Sequence, residues 1–243
     1  MANIFLSNNP TAQGTDGDDQ IYHTDVGRST LAFSGNDAVY GGEGADEIFG
    51  NAGRDTLTGG GGQDSLHGGR DEDLLWGGLE NDVLFGNLGA DVLDGDDGND
   101  RLFGGRDNDE LNGQNGDDVL AGELGFDVLT GDSFRRGRDT FVLKPEADGS
   151  YDYINDFVPG EDTFLIQGLP GFSALSITTV TQAGIKPDTA RLGFFPNAPL
   201  LFDDDLVIRV QSTGQVLGIV SYLPAGNTTL KPASLTAQSF TFE

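Results

Sequence analysis

The sequence predicts an all-β protein: a right-handed parallel β-roll, in which nine-residue repeats form a two-sheet solenoid, followed by a C-terminal β cap. Residues 14–130 divide into thirteen consecutive blocks of nine residues without a break. The sixth residue of the block is aspartate in twelve of the thirteen blocks, and the eighth is aliphatic in twelve. After about Phe172, glycine becomes rarer and strand-like runs such as "LVIRVQ" and "VLGIVSYL" appear. Self-similarity at a fixed period is typical of stacked repeat architectures.

Each position of the block has a structural role. Glycines at the first, second and fourth positions permit the positive φ values and close backbone approach of a tight turn. The last three residues form a short strand whose middle side chain, at the eighth position, faces inward. One turn and one strand bury little alone, so the blocks must stack, two to a coil, into two parallel sheets.

The repeat pattern defines three regions. We expect residues 1–13 to be an N-terminal lead-in, residues 14–142 the roll and residues 143–243 the C-terminal β capping region. The block at residues 23–31 departs from the pattern but keeps its length, so it is either a degenerate repeat or a loop of the same length. An insertion at residues 131–133 breaks the frame, and "FRRGRDTFV" then supplies one further block.

The charge balance excludes several classes of partner. The chain has 40 acidic and 13 basic residues, a formal net charge of −27. Nucleic acids and anionic membranes carry the same sign of charge and are not expected partners. Such a chain must be neutralised by cations or remain unfolded. No apolar run reaches membrane-spanning length, and the first ten residues lack the basic start of a cleavable signal peptide, so we expect neither membrane insertion nor such a signal.

The spacing of the aspartates predicts calcium. Blocks two apart lie on one edge of the roll, about 4.8 Å from each other, so their carboxylates form columns of like charge. Calcium binds oxygens at about 2.3–2.6 Å, and two oxygens across one ion are then about as far apart as two strands. Magnesium prefers shorter bonds and keeps its waters, and zinc prefers cysteine and histidine. The predicted ligands in the repeats are Asp19, Asp37, Asp46, Asp55, Asp64, Asp73, Asp82, Asp91, Asp100, Asp109, Asp118 and Asp127.

The number of aspartate pairs sets the expected number of ions. Ten pairs of aspartates lie two blocks apart, once the pair that contains Arg28 is left out. Ten calcium ions would change the formal charge from −27 to about −7. A net charge of that size is common among soluble proteins.

The blocks "GGEGADEIF", "GNAGRDTLT" and "GDDGNDRLF" resemble the nonapeptide of RTX (hemolysin-type calcium-binding) proteins. The resemblance covers about half of the chain. It implies a calcium-loaded parallel β-roll in a bacterial protein that is secreted to the extracellular space or cell surface. It also implies export by type I secretion machinery, with an uncleaved signal in the C-terminal region.

A second resemblance lies just after the repeats. The segment "GRDTFVLKPEADGSYDYINDFVPGEDTFLIQGL" is similar to the stretch that closes the roll in serralysin-type C-terminal regions. Asp139, Asp156 and Asp162 fall on acidic positions of that stretch, which implies a further calcium ion at Asp139. No HExxH motif occurs in the sequence, so the protease activity of that family is not implied.

The C-terminal third predicts a cap. The run "LVIRVQSTGQVLGIVSYL" predicts a hairpin that turns at Ser212, Thr213 and Gly214. Such a cap would cover the open end of the roll, as solenoids require, and is compatible with a role in secretion. Residues 203–205, three consecutive aspartates, indicate a solvated turn rather than a metal site.

The ninth position of alternate blocks predicts an apolar outer stripe. Two interpretations are open: a ladder that stabilises a glycine-rich sheet, or a docking surface for the C-terminal segment, a second copy or a sugar polymer. The stripe consists of Leu31, Phe49, His67, Phe85, Phe103 and Ala121.

Two functions agree with these features. The first is a secreted calcium-binding protein that folds on binding about ten or more ions and has a structural or interaction role. The alternative is a calcium-dependent polysaccharide-binding accessory module of an extracellular enzyme system. The sequence has no GxSxG, no P-loop and no paired-histidine metal motif, so we do not expect an enzyme.

Overall fold

A computed structural model describes residues 2–6, 11–23, 27–132, 137–146, 149–171, 173, 175–179, 206–220, 235 and 237–243. These residues form β-strands and a short 3-10 helix, Ala237–Ser239. No helix in these ranges is long and apolar enough to span a membrane. The strands are β1 Ala2–Leu6, β2 Thr11–Gln13, β3 Asp19–His23, β4 Ser29–Leu31, β5 Ala38–Glu43, β6 Glu47–Ala52, β7 Thr56–Gly61, β8 Ser65–Arg70, β9 Leu74–Leu79, β10 Val83–Leu88, β11 Val92–Asp97, β12 Arg101–Arg106, β13 Glu110–Asn112, β14 Val119–Leu124, β15 Val128–Thr130, β16 Thr140–Leu143, β17 Asp152–Ile154, β18 Thr163–Ile166, β19 Leu175–Thr179, β20 Leu206–Val210, β21 Val216–Val220 and β22 Phe240–Phe242.

The described strands make two sheets. The first sheet has twelve strands in the order β1-β3-β5-β7-β9-β11-β13-β15-β17-β21-β20-β19. The second sheet has ten, in the order β2-β4-β6-β8-β10-β12-β14-β16-β18-β22. Successive strands of the repeat region thus alternate between the sheets, and every neighbouring pair there is parallel. This arrangement confirms the predicted parallel β-roll.

The strand register follows the sequence period. Leu57 lies opposite Leu75, and Leu84 lies opposite Leu102, so partners in a sheet are two blocks apart. Most strands of the repeat region have six residues, twice the expected three, because pairing continues into the next block. At the first position of that block, Gly68 has no positive φ, so an extended strand can pass through it.

The core is a ladder of eighth-position side chains between the two sheets. These side chains are fully buried, and each packs in the same cluster. The ladder consists of Ile21, Val39, Ile48, Leu57, Leu66, Leu75, Leu84, Leu93, Leu102, Leu111, Leu120 and Leu129.

Both sheets begin before the first recognisable repeat. In the first sheet, β1 pairs with β3 and places Ile4 opposite Ile21. In the second sheet, β2 pairs with β4 and places Ala12 opposite Thr30. Strand β4 also pairs with β6 on its other side. Residues 29–31 of the divergent block therefore form a strand of the roll.

The C-terminal region continues both sheets. Strands β16, β18 and β22 extend the second sheet in parallel, and β17 and β21 extend the first. The predicted hairpin is confirmed, because β20 and β21 are antiparallel and Gly214 in their turn has a φ of 73°. The triplet at residues 203–205 lies outside the described residues.

Aromatic side chains replace the aliphatic ladder at the C-terminal end of the roll. Phe141, Phe157 and Phe164 are fully buried. The rings of Phe157 and Phe164 stack at 4.2 Å between centroids, and Phe164 stacks on Phe240 at 5.4 Å. The cap thus shares one hydrophobic core with the repeats.

Candidate metal centre

The sixth-position aspartates form one hydrogen-bonded ladder along each edge of the roll. Within the repeats the backbone N–H of an aspartate donates to Oδ1 of the aspartate 18 residues later, as Asp55 does to Asp73 at 2.8 Å, and from Asp118 to Asp139 the separation is 21 residues. The first-edge ladder, before the strands of the first sheet, consists of Asp19, Asp37, Asp55, Asp73, Asp91, Asp109 and Asp127. The second-edge ladder, before the strands of the second sheet, consists of Asp46, Asp64, Asp82, Asp100, Asp118 and Asp139.

These carboxylates are buried although they lie at the edges. Each of the thirteen predicted ligands is at most 3% exposed. The residue after each aspartate except Asp19 starts a strand, and the carbonyl of Asp46, for example, accepts a hydrogen bond from the N–H of Ser65 at 2.8 Å. These backbone hydrogen bonds therefore fix the position of each carboxylate without a bound ligand.

The second oxygen of these carboxylates has no hydrogen-bond partner within the described residues. Buried polar atoms are normally paired, so a row of unpaired carboxylate oxygens indicates a ligand that supplies positive charge. The oxygen is Oδ2 of Asp37, Asp46, Asp55, Asp64, Asp73, Asp82, Asp91, Asp100, Asp109, Asp118 and Asp127.

Each unpaired oxygen except that of Asp37, whose block begins with Ala32, faces the first-position glycine of its own block. A Cβ on Gly68 would lie 2.5 Å from Oδ2 of Asp73 and 3.0 Å from the carbonyl oxygen of Gly86. The glycine thus leaves open a space beside a carboxylate oxygen and a main-chain carbonyl oxygen from different coils, and oxygen ligands of both kinds suit calcium. We call this space the glycine cradle, and the residues around it fit calcium.

The ligand geometry differs in one respect from the sequence prediction. We expected the ion between the carboxylates of successive coils. In the structure, Oδ1 of one carboxylate accepts a hydrogen bond from the backbone N–H of the aspartate in the preceding coil. In the described ranges, no three aspartate, glutamate or histidine side chains converge on one point. A bound ion would therefore take much of its coordination from main-chain carbonyl oxygens, which calcium accepts readily.

Burial raises the pKa of most ladder aspartates. Desolvation is the largest cause, the hydrogen bond from the preceding aspartate's N–H lowers the pKa, and neighbouring carboxylates raise it. At Asp109 the charge of Asp127 is the second cause, after desolvation. The pKa is raised to about 6 for Asp37 and Asp127, to about 7 for Asp55, Asp64, Asp82, Asp91 and Asp118, to about 8 for Asp73, Asp100 and Asp139, and to about 10 for Asp109.

The N-terminal end of the first-edge ladder is different. Oδ2 of Asp19 accepts hydrogen bonds from the backbone N–H of Thr15 at 2.6 Å and from its hydroxyl at 2.9 Å. Asp19 therefore has hydrogen-bond donors where the other members of its ladder have an unpaired oxygen.

The C-terminal ends of the ladders are completed by residues beyond the repeats. Asp139 donates its N–H to Oδ1 of Asp162 at 3.1 Å, and Oδ2 of Asp162 accepts from the N–H of Val158 at 2.6 Å. On the first edge, Asp127 lies against the buried Asp152, and desolvation together with that neighbouring charge raises the pKa of Asp152. The sequence patterns did not identify Asp152.

A further ladder at the fifth position was also missed. The N–H of Asn99 donates to Oδ1 of Asn81 at 2.8 Å, and the N–H of Asp117 donates to Oδ1 of Asn99 at 3.0 Å. Its direction is opposite to that of the aspartate ladders, because the acceptor precedes the donor in the chain. The recurrence of asparagine and aspartate at the fifth position was the signal that could have revealed it.

The predicted outer stripe forms a stack of rings on the second sheet. Phe49, His67, Phe85 and Phe103 stack with centroids 4.6, 4.7 and 5.1 Å apart and ring planes within 10°. This geometry supports the interpretation as a stabilising ladder. A groove of about 610 Å³ lies beside the stack, and Phe49, His67, Arg70, Leu88, Arg106 and Lys144 are among its lining residues.

Comparison with known proteins identifies the repeats. The family model of the RTX calcium-binding nonapeptide repeat matches four times, at residues 31–66, 58–93, 67–102 and 94–129. None of the curated proteins compared with the chain matches it. The solution structure of the AlgE6R3 subunit from the Azotobacter vinelandii mannuronan C5-epimerase is 20% identical, covers 71% of this chain and 78% of its own, and gives a TM-score of 0.37.

Proposed function

The chain carries the calcium-binding nonapeptide repeats of the RTX family over residues 31–129, and from this premise we propose that it is a secreted protein whose roll folds on binding calcium. The observation that carries the proposal is the row of eleven buried, unpaired Oδ2 atoms, ten of which are directed at a glycine cradle. We propose the thirteen predicted aspartates, Asp139 included, as calcium ligands. About ten or more ions would then be bound.

The charge of the roll explains why folding would depend on the ion. Without a cation, the ladder carboxylates are desolvated and lie one coil apart, so they must either take up protons or repel one another. When bound, calcium would supply the positive charge that lets a buried carboxylate remain ionised. Because the sites require stacked coils, ion binding and folding are the same event.

This dependence suits a protein that leaves the cell. Where calcium is scarce, the acidic chain stays unfolded and can pass through type I secretion machinery, as the RTX resemblance implies. Outside, calcium sites of extracellular modules fill at about 10⁻⁴–10⁻³ M. We propose a structural or interaction role in the extracellular space or at the cell surface, and no catalytic one.

Far-UV circular dichroism during a calcium titration tests this proposal. We expect a cooperative change from coil to strand near millimolar calcium, reversed by a chelator and absent with magnesium. Asp73→Asn should shift the midpoint to higher calcium, because it removes one ligand charge from the first-edge ladder. Asp71→Asn is the matched control, since Asp71 is exposed and has a φ of 73° that asparagine tolerates. A chain that is already folded in chelator at pH 8 would contradict the proposal.

The alternative function, calcium-dependent binding of a polysaccharide, is favoured by the groove on the second sheet. Arg70 and Arg106 both lie opposite Leu88, on its two sides, so they are two strand spacings apart, about 10 Å. Neither arginine forms an ion pair with any described residue. Unpaired cations beside stacked rings on an acidic protein favour an anionic sugar polymer, because rings pack on sugar faces and arginine pairs with carboxylates.

A pulldown with immobilised polyuronate, with and without calcium, tests the alternative. Binding should require calcium and should fall at least tenfold in Arg70→Gln/Arg106→Gln and in Phe85→Ser/Phe103→Ser. Tyr40→Ser is the control, because Tyr40 is an exposed ring on the first sheet. No binding by the folded protein, or equal binding by all variants, would contradict the alternative without affecting the calcium proposal.

A further inference from the structure

The block at residues 23–31 departs from the repeat at three positions that belong to one site. His23 stands where other blocks have the cradle glycine, Arg28 where they have the ladder aspartate, and Thr30 where they have the aliphatic core residue. All three side chains are buried, with exposures of 7%, 7% and 0%. The backbone nevertheless keeps the register of the roll, because Thr30 lies opposite Ile48 in the second sheet.

The imidazole of His23 links two coils. Its Nδ1 lies 3.2 Å from Oδ1 of Asp46, in the next coil on the same edge. Its Nε2 lies 2.7 Å from Oγ1 of Thr30. A neutral ring with the proton on Nδ1 donates to the carboxylate and accepts from the hydroxyl, so both ring nitrogens have partners.

The three departures depend on one another. In a block that begins with glycine, a Cβ at that position would approach the Oδ2 of the aspartate in the same block. At residues 23–31 that aspartate is replaced by Arg28, which removes this close contact and leaves room for a ring. The ring then needs a polar partner inside the core, and Thr30 provides one where an aliphatic side chain could not.

Arg28 keeps the ladder but reverses its charge. Its backbone N–H donates to Oδ1 of Asp46 at 2.6 Å, as an aspartate at this position would. Its side chain is buried and carries a fixed positive charge at the position of a carboxylate. Asp46 keeps its own cradle, since a Cβ on Gly41 would be close to Asp46 Oδ2 and to the carbonyl of Gly59.

We infer that no calcium ion is bound where His23, Arg28 and Thr30 replace the repeat residues, because the imidazole of His23 fills the space of an ion and the guanidinium of Arg28 supplies positive charge in place of a carboxylate. The inference rests on the proposed calcium-dependent folding. The stability of this block then does not depend on calcium, whereas the regular blocks that follow require the ion. One site is lost and the neighbouring sites are kept.

The number of calcium ions per folded chain, measured by native mass spectrometry at saturating calcium, tests this inference. The variant His23→Gly/Arg28→Asp/Thr30→Leu restores the first, sixth and eighth positions of the repeat and should bind one more ion than the unaltered chain. Arg54→Asp is the matched control: it makes the same change of charge at an exposed position outside the cradles and should not change the count.

A converse variant covers the case in which the restored chain does not fold. Gly68→His/Asp73→Arg/Leu75→Thr transplants the His–Arg–Thr set into a regular block and should bind one ion fewer. A folded restored variant with the same count as the unaltered chain would overturn the inference while leaving the proposed function intact. An unaltered chain that binds no calcium would instead overturn the proposed function.

Discussion

Lowering the pH from 8 to 5 is expected to stabilise the calcium-free roll and to weaken its binding of calcium. The ladder carboxylates have pKa values raised by burial, to about 7 for Asp55 and about 8 for Asp73 and Asp100. In the unfolded chain an aspartate has a pKa of about 3.9. The folded calcium-free state therefore binds protons more tightly than the unfolded state does.

The sign of the effect follows from that difference. A group whose pKa is raised in the folded state favours folding below its unfolded pKa and loses that contribution as the pH rises through its folded pKa. The calcium-free roll should lose stability between about pH 4 and pH 8. Calcium requires the ionised carboxylates, so its binding should release protons and strengthen over the same range.

Far-UV circular dichroism in chelator at pH 5 and pH 8, with calcium titrations at both, measures the two effects together. We expect more strand signal at pH 5 than at pH 8 without calcium, and at least tenfold tighter calcium binding at pH 8. Glu72 is a useful internal contrast, because its pKa is lowered by its own backbone hydrogen bond and by Arg54. Calcium-free stability that rises with pH would contradict the account of the ladders given above.

A single methyl group at Gly68 is expected to remove a calcium site. In Gly68→Ala the new Cβ would meet Oδ2 of Asp73 at 2.5 Å and the carbonyl of Gly86 at 3.0 Å, and it would fill the cradle. The strain should destabilise the calcium-bound roll by about 1–3 kcal/mol, the usual cost of overpacking, beyond the loss of one ion.

Gly61→Ala is the matched control for this substitution. A Cβ on Gly61 meets no atom nearer than Oε2 of Glu43 at 3.7 Å, an ordinary contact. Neither Gly61 nor Gly68 has a positive φ, so backbone strain does not distinguish the two variants. Thermal unfolding in calcium and a count of bound ions should separate them, and equal behaviour would show that the cradle is not a binding site.

The sequence predicted the repeating part of the fold because one period encodes both burial and charge. Alternation of an inward aliphatic residue with a carboxylate two positions earlier fixed the sheets, the core ladder and the edges on which the aspartates lie. The role of the first-position glycine was predicted less well. Positive φ and close backbone approach were both expected at such positions; Gly68 has no positive φ, but a Cβ there would lie close to the carbonyl of Gly86 and to Oδ2 of Asp73.

Contacts between departures from the pattern could not be predicted from the pattern. His23 and Thr30 are seven residues apart, and only the coil geometry brings them together. The same holds for Asp152, which lies outside the repeats and meets Asp127 across the insertion. The strand β1 was not predicted for a comparable reason, since its residues precede the first glycine of the period.

The alternation of blocks between two unlike faces restricts how such a chain can change length. Deleting one block, residues 86–94, would transfer every later strand to the opposite sheet, and Phe103 would leave the stack on Phe85. Deleting two blocks would preserve both the ring stack and the order of each aspartate ladder. Duplications and losses in the lineage of this protein are therefore expected in whole coils of 18 residues, the separation of ladder partners, so the unit of inheritance is twice the unit of the repeat.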